Sequence, residues 1–173
     1  ATPQTIPGYT YQPLFDENGM KTVASGTVAG DGSLVLNLYY TPDADALAYH
    51  ANGGQGTMAA TEGVTDQVVE VAANGFERAG YAFVGWNTAA DGSGQAYAAG
   101  AGYALTAGDD ALFAQWTAND GTAYTVNHYK VNAAHTAATL DNAENLKATT
   151  DASVSATPQT IPGYTYQPLF DEN

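Results

Sequence analysis

Residues 1–18, ATPQTIPGYTYQPLFDEN, recur letter for letter as residues 156–173, an offset of 155. A duplication of this length, rich in Pro, Tyr and Gln, marks a tandem array, and a missed period would misassign every element between the copies. The chain reads as one period plus an overlap, opening and closing inside a module. Ala1 and Asn173 then lie within an array and need not be natural ends.

Between the two copies the apolar residues alternate with period two, the pattern of half-buried strands. In residues 33–40, Leu34, Leu36, Leu38 and Tyr40 share one face, with Val35, Asn37 and Tyr39 on the other. Tyr124, Val126 and His128 alternate with Thr125, Asn127 and Tyr129, and Tyr81 and Phe83 oppose Ala82, Val84 and Trp86. Further strands are expected at 9–12, 23–28, 47–51, 67–71 and 112–117. Asn18-Gly19, Asp31-Gly32, Asn52-Gly53, Asn74-Gly75, Asp91-Gly92 and Asp120-Gly121 supply turn chemistry between the runs. A helix is expected only over 133–147, where Leu140, Ala143, Glu144 and Lys147 fall at helical spacing, although its threonines weaken it. The fold class is mainly β, α+β at most.

Two joints divide the period, Thr41-Pro42-Asp43-Ala44-Asp45 and Thr117-Ala118-Asn119-Asp120-Gly121. Residues 46–117 then form a whole module of 72 residues. The other module is split, with its first part in 118–173 and its last part in 1–45.

Eighteen acidic residues against four basic ones give a formal charge of −14. Such a surface repels phosphate backbones and anionic lipid, so neither nucleic acid nor membrane insertion is expected. With 13% charged and 11% aromatic residues, the chain is no disordered acidic tail. It has no cysteine, so each module must fold on its apolar core without disulfides or thiolate metal sites. No run of 18 apolar residues is present, and no signal-peptide pattern follows Ala1.

The middle module carries LAYHANGG at 47–54, GYAFVGWN at 80–87, Tyr97, and LFAQW at 112–116. In this order and spacing the blocks resemble the Listeria/Bacteroides repeat of internalin-type surface proteins. The split module resembles a mucin-binding-protein repeat through YTVNHYK at 124–130, IPGYTY at 161–166 and LNLYY at 36–40. The resemblances imply small β-grasp-like modules alternating in a bacterial surface adhesin. They also imply an extracellular, wall-anchored or cell-surface location, largely in Gram-positive bacteria.

No enzyme, cofactor or metal site is expected. His50, His128 and His135 are far apart in sequence and lack paired-ligand spacing. No nucleophile elbow or comparable triad pattern occurs. Residues 87–94, NTAADGSG, hold oxygen ligands and glycines but not the alternating acidic pattern of a calcium loop, so a hairpin turn is expected. Gly53-Gly54-Gln55-Gly56 reads as a glycine-rich turn, with no lysine after it to cradle phosphate. A Lys-to-Asn or Lys-to-Asp isopeptide cross-link would have to use Lys21, Lys130 or Lys147 and would need that lysine buried. Trp86 and Trp116 could stack on sugars, but their place in alternating strands favours core packing.

Two roles are compatible with this reading. In one the modules form a stalk that projects a distal binding domain. In the other the repeats grip a host mucin, glycan or matrix protein weakly and gain avidity. The split module also predicts that its halves complement one another between neighbouring repeats or chains, with the two Tyr-rich copies competing for one position.

Overall fold

The computed structural model describes residues 1–168. Among them there is no helix, and thirteen strands run in chain order. They are β1 (Tyr9–Tyr11), β2 (Asp16–Glu17), β3 (Met20–Lys21), β4 (Tyr40–Pro42), β5 (Ala44–His50), β6 (Thr61–Val64) and β7 (Val68–Glu70). Next come β8 (Tyr81–Asn87), β9 (Ala96–Tyr97), β10 (Gly102–Ala104), β11 (Asp110–Ala118), β12 (Thr122–Val131) and β13 (Ala138–Ala148).

The chain divides into two compact units, one of Ala1–Arg78 with Phe83–Trp116 and one of Ala79–Ala82 with Thr117–Asn173. The first contains a five-stranded sheet in the order β6-β5-β11-β8-β9. Its centre is the parallel pair β5–β11, with Leu47 opposite Asp110 and His50 opposite Phe113. Parallel neighbours need a long crossover, and the intervening chain supplies it with the separate β7–β10 ribbon. The core is Leu47, Tyr49, Val69, Val71, Phe76, Trp86, Tyr103, Leu105, Leu112 and Ala114. Every one of these residues falls between 47 and 114, inside the segment expected to be a whole module.

Aromatic rings lock that core in place. Trp86 lies 4.9 Å from Tyr49, 6.1 Å from Phe76 and 5.2 Å from Phe83, in tilted or edge geometry. Its indole N–H donates to the Ala72 carbonyl at 3.1 Å, while the Ala72 N–H donates to the Tyr49 hydroxyl at 2.8 Å. Residue 72 is thereby stapled from both sides. The strict alternation expected for 81–86 fails at Gly85, whose φ of 151° breaks the period and turns Trp86 onto the same core as Phe83.

Three further expectations are corrected. Residues 133–147 form no helix, because β13 pairs with β12 from Ala138 to Ala148 apart from Asp141, and the ladder takes the inward-facing backbone groups of both strands. The run 33–40 keeps its alternation, with Leu34, Leu36 and Leu38 half-buried and Val35 67% exposed, yet only its last residue joins a strand. A strand needs a hydrogen-bonding neighbour as well as a pattern. Along 33–39 the neighbours are one bridge to Val23 and one bond from the Gln12 N–H to the Tyr39 carbonyl. The same bridge is all that forms of the strand expected at 23–28.

The segment 1–45 packs in the same unit as 46–78 and 83–116. Only Asp43 separates β4 from β5, which leaves no linker at that joint. The Asp43 N–H donates to the Gly8 carbonyl at 2.8 Å, and the Tyr9 hydroxyl donates to Asp66 at 2.7 Å. That bond to a carboxylate raises the Tyr9 hydroxyl above its ordinary pKa.

Candidate interaction surface

The second unit is built on the β12–β13 hairpin. Its strands pair from Thr122↔Ala148 to Val131↔Ala138, with an irregularity between His128 and Tyr129. Because His128 faces Asn142 and Tyr129 faces Leu140, Asp141 is the extra residue of a bulge. The bulge aims Asp141 at Lys130, and the two form an ion pair. The hydrogen bond to that carboxylate raises the Lys130 ammonium above its ordinary pKa.

One face of the hairpin carries Tyr124, Val126 and His128 opposite Leu146, Glu144 and Asn142. The segment after β13 lies over part of this face. The Gln159 amide donates to Glu144, and the Asn142 amide donates to Gln159 Oε1 at 3.3 Å. Lys130 sits 5.8 Å from the centre of the Tyr164 ring. Between hairpin and segment runs a groove of about 610 Å³, whose walls include His128, Tyr129, Val131, Ile161, Tyr164 and Tyr166. The His128 side chain is 10% exposed; its Nε2 is 3.5 Å from Glu144 Oε1 but makes no hydrogen bond.

This unit lacks what the first one has. Among the described residues from 117 to 168 none is buried, and none is buried from 1 to 45 either. Apolar side chains lie open in both stretches: Tyr129 at 53%, Leu140 at 50%, Tyr164 at 50% and Tyr166 at 61% in the one, Leu14 at 92% and Val28 at 80% in the other.

The residues weighed for chemistry are placed elsewhere or otherwise engaged. His50 stacks on Phe113 at 4.8 Å, and His135 has a φ of 56° in the turn between β12 and β13. Among the described residues no group of three His, Asp or Glu side chains is placed to hold a metal ion. In 87–94 the Asn87 amide organises the turn, donating to the carbonyls of Gly92 and Gly94 and accepting from the N–H groups of Ala89 and Gly94. Asp91 is occupied by the Ser93 hydroxyl and N–H, which lower its pKa.

Trp116 donates to the Ala51 carbonyl at 2.9 Å, and a side chain at Gly54 would meet its ring at 2.7 Å, so the 53–56 turn lies against the indole. Lys21 pairs with Asp16 at 3.0 Å with two-thirds of its side chain exposed, and Lys147 is exposed. Lys130, at 37% side-chain exposure, is also short of the burial that isopeptide chemistry needs. Sequence reasoning singled out none of the groove as a unit. Its walls come from the turn residues of one segment and a hairpin that was expected to be half helix.

The described residues form an all-β chain with one closed module, and that module coincides with the block of two aromatic clusters. Residues 46–115 match the family model of the Listeria-Bacteroides repeat domain, a repeat typical of surface proteins. No curated protein and no solved structure matches the chain.

Proposed function

We propose that the chain is the repeat region of a bacterial cell-surface adhesin and acts as a stalk that projects a distal binding domain. In this reading the Listeria-Bacteroides repeat at 46–115 alternates with a mucin-binding-type module assembled from 118–173 and 1–45. The observation that carries it is the identity of residues 1–18 and 156–173 on either side of a closed repeat module. Two features support it. Short joints leave little slack between elements, with β4 and β5 separated by one residue and β11 and β12 by three. A charge of −14 per chain disfavours collapse of successive copies onto one another.

Small-angle scattering on one, two and four periods tests the reading. The maximum dimension is expected to grow nearly in proportion to copy number. A maximum dimension that stays nearly constant overturns the stalk. Retention of the multimerised chain on mucin or glycan arrays would instead favour weak multivalent binding.

A further inference from the structure

The two stretches without a core are complementary, and the duplication shows how. In residues 6–9 the Tyr9 N–H donates to the Ile6 carbonyl at 3.1 Å, and Gly8 has a φ of 73°. In residues 161–164 the Tyr164 N–H donates to the Ile161 carbonyl at 3.0 Å, and Gly163 has a φ of 82°. The same turn forms twice. The residues after the turn diverge: Tyr9–Tyr11 is a strand against Tyr40–Pro42, whereas Tyr164–Gln167 joins no strand and leaves Tyr164 and Tyr166 half exposed or more.

We propose that residues 164–167 are a strand awaiting its partner, and that the partner is the stretch 19–42 of a second copy placed in tandem after this one. The register is fixed by the first copy. Tyr9↔Pro42, Thr10↔Thr41 and Tyr11↔Tyr40 become Tyr164, Thr165 and Tyr166 against Pro42, Thr41 and Tyr40 of the next copy. The groove wall formed by Tyr164 and Tyr166 then becomes part of a sheet. Leu34, Leu36 and Leu38 of the incoming stretch face the open side of the β12–β13 hairpin.

Completion supplies each half with what it lacks. An isolated hairpin is marginal in water, and β12–β13 has no buried residue beneath it. The incoming stretch has an alternating apolar run with almost no ladder. Each copy's hairpin thus closes over the next copy's leading segment, and the array becomes a chain of interlocked modules. This deepens the stalk reading, on which it rests, by naming the contact that joins successive copies.

The test is a polypeptide in which the whole chain is continued directly by residues 19–173 of a second copy. Gly8–Asp43 and Gln12–Tyr39 are hydrogen-bonded positions of the ladder, so by its alternation Tyr11–Tyr40, next to the second of them, is a non-hydrogen-bonded pair with Cα atoms about 4.5 Å apart, suited to a disulfide. The chain has no cysteine to interfere. Tyr166→Cys in the first copy with Tyr40→Cys in the second is expected to cross-link in most molecules on mild oxidation, as is the control Tyr11→Cys with Tyr40→Cys within one copy. A control that cross-links while the test pair does not overturns the proposal.

Hydrogen exchange on the unsubstituted polypeptide covers the case in which the variants misfold. The amides of Thr165 and Gln167 are expected to gain about a hundredfold protection or more over the single-copy chain. Equal protection in the two overturns the proposal. Scattering reads length and these experiments read strand pairing, so a flexible array could fail the first and pass the second.

Discussion

Leu112→Ala is the sharpest probe of where stability resides. Leu112 is fully buried on the central strand β11, beside Tyr49 in the parallel register. Truncation removes three buried carbons, about 2.4 kcal/mol at about 0.8 per methylene, and leaves a cavity in the core beneath the sheet, which the laddered strands cannot bend in to fill. The expected loss is about 3 kcal/mol, which lowers Tm by roughly 10–20 °C for a domain near this size. The comparison is Leu146→Ala on β13. Leu146 is already 37% exposed with no core beneath it, so its truncation should cost about 1 kcal/mol or less. The assay is tryptophan fluorescence during urea unfolding. The chain has two tryptophans, Trp86 and Trp116, both in the first unit, so the signal reports the module that holds Leu112. A Leu112→Ala loss below about 1 kcal/mol would refute the assignment of the core to residues 47–114.

Three other outcomes rest on particular contacts. Burial and the hydrogen bond to Asp110 push the Tyr103 hydroxyl up to about 12. The unfolded phenol ionises near 10, so this group's contribution is complete below about pH 10 and falls, by on the order of 2 kcal/mol, as pH rises toward about 12. Tyr103→Phe should flatten the alkaline fall in urea midpoint, and an unchanged slope between about pH 9.5 and 11.5 would count against it. Gly8→Ala should cost about 3 kcal/mol by fluorescence, because it strains a left-handed residue and puts a carbon within 2.5–2.8 Å of Thr65 and Ala107. Gly163→Ala, the same change in the second copy, meets nothing within 4 Å and should leave that midpoint within about 0.5 kcal/mol; equal effects would show that β1 is not docked on the module. Asn87→Ala should cost about 2–4 kcal/mol by stripping four backbone partners from a buried amide. The wild-type Tm should not respond to calcium or chelator, and a rise of several degrees with calcium would overturn the turn assignment of 87–94.

Much of the closed module was legible because its signals are local. The Tyr81–Asn87 and Asp110–Ala118 strands carry their aromatics in order, and Asn18-Gly19 forms the two-residue turn between β2 and β3 with both residues at positive φ. The failures come where a non-local partner decides the outcome. Residues 133–147 have an alanine-rich helical spacing, but ten paired residues on β12 outweigh propensities of tenths of a kcal/mol each. Gly85 reads as an ordinary strand glycine, and only its φ reveals that Phe83 and Trp86 share a core. The groove could not be read as a unit, since its walls are a hairpin and a later segment that meet through side-chain contacts, Gln159 with Glu144 and Asn142, which no local pattern announces.

The duplicated eighteen residues separate these two kinds of information within one molecule. Proline at the second position and glycine at the third dictate the Ile-Pro-Gly-Tyr turn in both copies, because a type II turn needs only the residues it contains. The three residues after it have no such independence. Tyr9 and Tyr11 are strand residues because Pro42 and Tyr40 face them, and Tyr164 and Tyr166 lack that facing strand while keeping every local determinant. Identical sequence therefore gives identical turns and different strands, which is why the open hairpin face and the unladdered 33–39 run call for the same remedy. In the proposed tandem, each finds that neighbour in an adjacent copy, one period of 155 positions away.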